Sequence, residues 1–233
     1  TSFITGIFEA EELDPTFVIG GILNSSGTNA RLGSGKYLIA EADESDASFL
    51  ELKPMSAVIT NIDADHLGSY NQNFNELCHA FLSFLKNLPF YGVAVLCIDD
   101  PNVKALLPEI SRPTVTYGFD RTADFRITDL TTEGDRWGFS VQRPNGLVAI
   151  SVTLSLPGRH NVLNAAAAIA IATEENISDS SIIKGLTEFS GVGRRFEIHR
   201  GAKVGATSII LVDDYGHHPV EIKCVIQTAR SVW

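Results

Sequence analysis

Two short apolar runs, Tyr37-Leu38-Ile39-Ala40 and Ala57-Val58-Ile59-Thr60, each give way at once to an acidic cluster, and both read as strands. The first is followed by Glu41, Asp43, Glu44 and Asp46, the second by Asn61-Ile62-Asp63-Ala64-Asp65-His66. A helix from about Phe74 to Lys86 comes next, then a strand at 93–98, a short helix at 101–107 and a strand at 115–117. Apolar strands alternating with helices predict an α/β fold whose mostly parallel sheet is covered on both faces. Ligands of such sheets bind beyond the carboxyl ends of the strands, which is where the acidic clusters fall.

The pattern changes after Asp124. Segments 125–130, 137–143 and 147–156 read as consecutive strands joined at Gly134-Asp135 and Asn145-Gly146, and Asn-Gly is a strong hairpin signal. An antiparallel meander is therefore expected on the parallel sheet. An Ala-rich helix follows from Asn161 to about Glu174, then a helix at 179–189 and a linker at Gly191-Val192-Gly193. Beyond it, 209–212 reads as a buried strand and 219–230 as a helix, the first pair of a further unit. Residues 1–12 read as the remainder of a helix, with Phe3, Ile4, Ile7 and Phe8 at helical spacing and no capping residue before them.

The net charge of -10 and the lack of a Lys/Arg stripe argue against a nucleic-acid partner. No apolar run approaches the roughly 20 residues of a membrane helix, and no signal-type segment is visible. Cys78, Cys97 and Cys224 lack zinc or redox spacing and fit reduced thiols of a cytoplasmic protein.

Taken alone, the acidic loops with His66 suit a magnesium ion shared with substrate phosphates, or simply solvate the strand ends. Asn161 and Asn164 lie three apart at a helix start, where two amides can read a purine edge; from spacing alone Asn161 reads more readily as a plain N-cap. In Gly193-Arg194-Arg195-Phe196 an arginine fork can clamp a phosphate or decorate a linker. Asp213-Asp214-Tyr215-Gly216-His217-His218-Pro219 falls at a strand-to-helix junction, where an acid can hold ribose hydroxyls and the imidazoles can face a reacting centre. Its His-His pair has the residue types of a zinc site, but adjacent residues seldom point at one ion. Neither a G-x-x-x-x-G-K-[ST] loop nor a G-x-S-x-G elbow is present.

Together, Leu13-Asp14-Pro15-Thr16-Phe17, the stretch Tyr37 to Leu50, Thr60 to His66, Gly158 to Ala166 and Asp213 to Pro219 resemble the Mur ligases of peptidoglycan synthesis. They occur in that family's order across essentially all 233 residues, and the branch they look most like adds L-alanine. The resemblance implies a P-loop-NTPase-like central ATP-binding domain at 1–193 and the start of a Rossmann-like C-terminal ligase domain at 194–233. It implies ATP and Mg2+ as cofactors, with Glu41 and His66 as metal ligands and Arg195 on a phosphate. His160, Asn161 and Asn164 would hold the nucleotide, and Asp214 its ribose. The implied reaction joins the carboxylate of UDP-N-acetylmuramate to L-alanine through an acyl phosphate. A muropeptide-recycling ligase and a non-catalytic nucleotide-binding module are the alternatives.

Departures from the family pattern shape these expectations. The glycine-rich loop with its Lys and Thr is expected just before Thr1, so residues 1–233 alone are expected not to turn over. Leu67-Gly68 stands where relatives commonly carry an acid after the hydrophobic residue. Phe81 occupies the position of the carbamylated lysine of sister enzymes, so no such modification is expected.

Overall fold

A computed structural model describes residues 1–233. The main sheet has six strands in sequence order: β4 (Ser56–Ile59), β5 (Val93–Cys97), β6 (Thr114–Gly118), β7 (Phe125–Glu133), β8 (Arg136–Gln142) and β9 (Ile150–Leu154). The first four run parallel and the last two complete an antiparallel meander. Helices α2 (Phe74–Lys86) and α3 (Pro101–Leu106) make the crossovers. Asn73 and Asp100 cap them by accepting from Asn75 N–H and Val103 N–H.

One helix fixes the other side of the sheet. α4 (Arg159–Glu174) is buried along most of its length, and its run Ala165 to Ala168 lets it lie close against β5, β6 and β7. α1 (Ser2–Ala10) and α5 (Asp179–Thr187) cross beside it, and Gly185 makes that crossing possible. A Cβ on Gly185 would stand 2.5 Å from Ile7 Cα.

A second sheet has the order β2-β1-β3: β1 (Thr16–Leu23) pairs antiparallel with β2 (Thr28–Arg31) and parallel with β3 (Leu38–Ala40). The two acidic clusters therefore follow strands of different sheets, β3 and β4, not neighbouring strands of one sheet. Gly191-Val192-Gly193 is likewise no free linker. Val192 is buried and bridges Leu23, while Gly193 N–H donates to Ile22 C=O at 2.9 Å.

The last elements are β10 (Glu197–Val204), β11 (Thr207–Asp213) and α6 (Pro219–Val232). β10 and β11 form a two-stranded antiparallel hairpin. The stretch 209–212, read from sequence as a buried strand, is open to solvent: Ile210 is 43% and Leu211 49% exposed. With one partner strand and no covering layer, its apolar residues have nothing to pack into. The strand-then-helix order at 207–232 stands as expected.

Candidate functional site

Glu41 continues β3, its N–H donating to Val18 C=O at 2.9 Å. Its side chain folds back over β1, where Oε2 accepts the Gly20 N–H at 3.2 Å. A Cβ at position 20 would lie 2.8 Å from Oε1, so a glycine is what lets the carboxylate rest there. The other acids of this loop divide the work. Asp43 accepts from Ser45 N–H and Asp46 from Ser48 N–H, both shaping the turn. The Ser48 hydroxyl and N–H hold the Asp46 carboxyl below its ordinary range.

The loop after β4 is folded by the same device. Asp63 and Asp65 accept the N–H groups of Ala64 and His66, each at 2.8 Å. His66 takes a left-handed φ of 52° and starts a 3-10 turn, Leu67–Tyr70. That turn ties the two acidic loops together across the gap between sheets. Ser69 Oγ donates to Ser45 C=O at 2.6 Å, and the Tyr70 hydroxyl donates to Glu44 C=O. Burial, then the charges of Glu44, Asp46 and Asp43, push the Tyr70 phenol up, which keeps it a donor.

The junction between β11 and α6 closes over this loop. The ligand atoms of Asp65, His66 and His217 lie within 4.8 Å of one another, and Glu41 is not a member of that group. His218 Nδ1 stands 3.6 Å from Asp63 Oδ2. Glu221 anchors the junction by accepting the His217 and His218 N–H groups at 3.0 and 3.2 Å. Burial works against its charge, but those two bonds, with Arg195 and His217, hold its carboxyl low. The imidazoles expected to face a reacting centre thus stand against Asp63 to His66.

His160, Arg195 and Asp214 lie near one another at the junction. His160 folds over Gly158, whose φ is 116°; a Cβ there would lie 2.6 Å from the His160 ring. Burial lowers the His160 pKa, Arg195 lowers it further and Asp214 opposes them, so all three share one electrostatic neighbourhood. Asp214 receives two backbone donors, Phe196 N–H at 2.8 Å and Gly216 N–H at 2.7 Å. Arg195 is exposed, and no carboxylate lies within ion-pairing distance of its guanidinium.

The two asparagines part company. Gly158, not Asn161, occupies the N-cap of α4. Asn161 is buried inside the first turn and donates to Pro157 C=O at 2.7 Å, fixing the Pro157-Gly158 bend. Asn164, one turn on, is exposed and free to offer its amide. Phe81, for its part, packs on α2 against Phe49, at 5.4 Å between ring centroids.

Sequence reading missed a third strand-end acid. Asp99, just past β5, accepts the Phe119 and Asp120 N–H groups at 2.8 and 3.0 Å. Its other oxygen stands 3.3 Å from Arg159 Nη2, and that guanidinium stacks 3.5 Å over the Phe119 ring. The signal was available, since Cys97-Ile98-Asp99-Asp100 repeats the apolar-then-acidic pattern of the two strands already singled out.

Residues 6–172 match the family model for the Mur ligase middle domain. Among solved structures, the chain is similar to the UDP-N-acetylmuramate-alanine ligase MurC of Thermotoga maritima, with 30% identity and a TM-score of 0.83, over 99% of this chain and 51% of that one. It shares its fold with MurF of Acinetobacter baumannii, at 22% identity and a TM-score of 0.76, over 97% and 50%. The murein peptide ligase of Psychrobacter arcticus compares at 22% and 0.75, over 99% and 52%. The chain spans about half the length of these proteins. A middle-domain match over most of the chain, with 30% identity to a solved family member across 99% of it, shows that it belongs to the Mur ligase family.

Proposed function

We propose that this chain is the nucleotide-handling part of a cytoplasmic ligase that uses ATP to join UDP-N-acetylmuramate to L-alanine in peptidoglycan precursor synthesis. Residues 1–193 form its central domain and 194–233 open the next one. The observation that carries this reading is the junction at 213–219, whose His217 meets Asp65 and His66 while its Asp214 accepts the Phe196 N–H next to Arg195. The 30% identity to an alanine-adding ligase favours L-alanine over the peptide taken by recycling enzymes.

Roles follow from placement. The donor chemistry fits a hydrated magnesium ion: Glu41 keeps Oε1 without a protein donor, and His66 stands exposed beside Asp65. When bound, Mg2+ neutralises charge on the phosphates. His160 and Asn164, one turn apart on α4, would read an adenine edge, and Asn161 fixes the Pro157-Gly158 bend. Asp214, held by two backbone donors, presents a carboxylate to ribose hydroxyls. Arg195, with no carboxylate in direct ion-pairing contact, offsets charge as the γ-phosphate moves to the muramyl carboxylate. Such a transfer needs position and charge more than a protein nucleophile. The L-alanine amine then attacks the acyl carbon, forming the amide and expelling phosphate.

The test is phosphate release by the full-length protein with ATP, UDP-N-acetylmuramate and either L-alanine or the tripeptide L-alanyl-γ-D-glutamyl-meso-diaminopimelate. Turnover is expected with L-alanine, and Glu41→Gln should lower kcat/KM by about a hundredfold, the scale of losing support at a metal site. Turnover with the tripeptide alone would assign the chain to recycling. An unaffected Glu41→Gln enzyme would remove Glu41 from the site.

A further inference from the structure

The hairpin carries a cluster of metal-ligating types that the nucleotide site does not use. Glu197 and His199 are two apart on β10 and so point to one face, while Asp213 on β11 is the direct register partner of Glu197. The Glu197 carboxylate, the His199 imidazole and the Asp213 carboxylate place their ligand atoms within 4.8 Å of one another. His199 Nε2 stands 3.7 Å from Glu197 Oε1. In a tetrahedral zinc site with bonds of 2.0–2.1 Å, neighbouring ligand atoms are about 3.4 Å apart, so a small closure suffices.

Two carboxylates directly opposite each other across a strand pair repel. Arg194 serves both in part: its N–H donates to Glu197 Oε2 at 3.0 Å and its guanidinium stands 3.9 Å from Asp213, too far for a hydrogen bond, which leaves Glu197 Oε1 facing His199. The pair sits at the end of the hairpin away from its turn, next to the bonds from Phe196 N–H to Asp214 and from Tyr215 N–H to Arg194 C=O.

We propose that Glu197, His199 and Asp213 form a second divalent-metal site, completed by water and suited to zinc or cobalt. An imidazole with two monodentate carboxylates matches such borderline ions better than Mg2+, which prefers an all-oxygen octahedron. Its occupant offsets the charge of the two opposed carboxylates and ties the strands through their side chains. Phe196 and Asp214 adjoin the ligands in sequence, and Phe196 N–H donates to Asp214, so the ion stiffens the strand end beside the nucleotide group.

The experiment is calorimetric titration of Zn2+ into the EDTA-stripped 233-residue chain carrying His217→Ala, with millimolar Mg2+ present throughout. That background removes the competing group of Asp65, His66 and His217. One equivalent should bind, and adding His199→Ala or Glu197→Gln should weaken it at least about tenfold. These side chains are exposed, so either variant should fold, and circular dichroism checks that it does. No zinc binding by the His217→Ala chain would overturn the proposal. So would binding that neither hairpin variant changes.

Discussion

α4 buries ten of its sixteen residues, whereas α6, only two residues shorter, buries Thr228 alone. The contrast extends to the strands around them. β5 has four buried residues out of five, and the β10–β11 hairpin has none. Beyond Gly193 only Phe196 and Thr228 are buried. The two regions are therefore held by different forces. Apolar burial fixes the main sheet with α1, α4 and α5, and it leaves their geometry little freedom. The hairpin and α6 are held by contacts that are mostly polar and that involve residues of the candidate site. These are His218 against Asp63, Phe196 N–H on Asp214, Tyr215 N–H on Arg194 C=O and Thr228 beside Gly158. Arg200 adds one ion pair to Asp135 on the meander turn. Under the proposed roles, groups that hold ligands also set where the C-terminal segment sits, so ligand binding and segment position would be coupled.

The largest effect should come from the region held by burial. Phe125, fully buried where β7 joins the parallel strands, belongs to the main apolar cluster. Phe125→Ala should cost about 3–5 kcal/mol of unfolding free energy in urea, from lost transfer plus the cavity left behind. A loss below about 1 kcal/mol would mean that the core repacks freely and that burial does not set this region.

That division also explains what the sequence disclosed. Segments with strong apolar periodicity, such as α2 and β5, or an Asn-Gly turn, as at 145–146, were legible because their local signal and their burial agree. The turn residues even take the left-handed φ values of 59° and 73° that the dipeptide favours. β1 was missed because Gly20 and Gly21 interrupt its apolar run. Both glycines answer to distant partners, Gly20 to Glu41 and Gly21 to Val192, whose Cγ1 would lie 2.5 Å from an added Cβ. β10 was missed because Glu197-Ile198-His199-Arg200 has no apolar face to show. In the site, the acids and imidazoles were visible as types at strand ends. What no local pattern could reveal is that Ser69 and Tyr70 tie the two loops, or that His217 meets His66 from 151 positions away.

A smaller effect on stability, and a selective one on function, is expected at Gly20. The atom crowded by Gly20→Ala belongs to the end of a flexible, exposed side chain, so folding should lose less than about 1 kcal/mol. Glu41, however, must leave its backbone donor. Mg-ATP affinity of the full-length protein, measured by calorimetry, should fall about tenfold, as when a supporting contact of a metal ligand is removed. Unchanged affinity at unchanged stability would show that the position of Glu41 on β1 is incidental to the nucleotide.

The smallest effect belongs to the hairpin. Ile210 is large and apolar, and from sequence it belongs to a buried strand, yet it is 43% exposed and β11 has a partner on one side only. Ile210→Ala should change the urea midpoint of the 233-residue chain by no more than about 0.5 kcal/mol equivalent, the usual range for surface substitutions. Side-chain chemistry identical to that of a core isoleucine would then give a response several-fold weaker than the 2–5 kcal/mol that Ile→Ala costs in a core. A loss of about 2 kcal/mol or more would reverse the comparison, because Ile210 would then have a packed environment. Burial as well as polar contact would hold the hairpin, and the coupling between ligand and segment position would weaken accordingly.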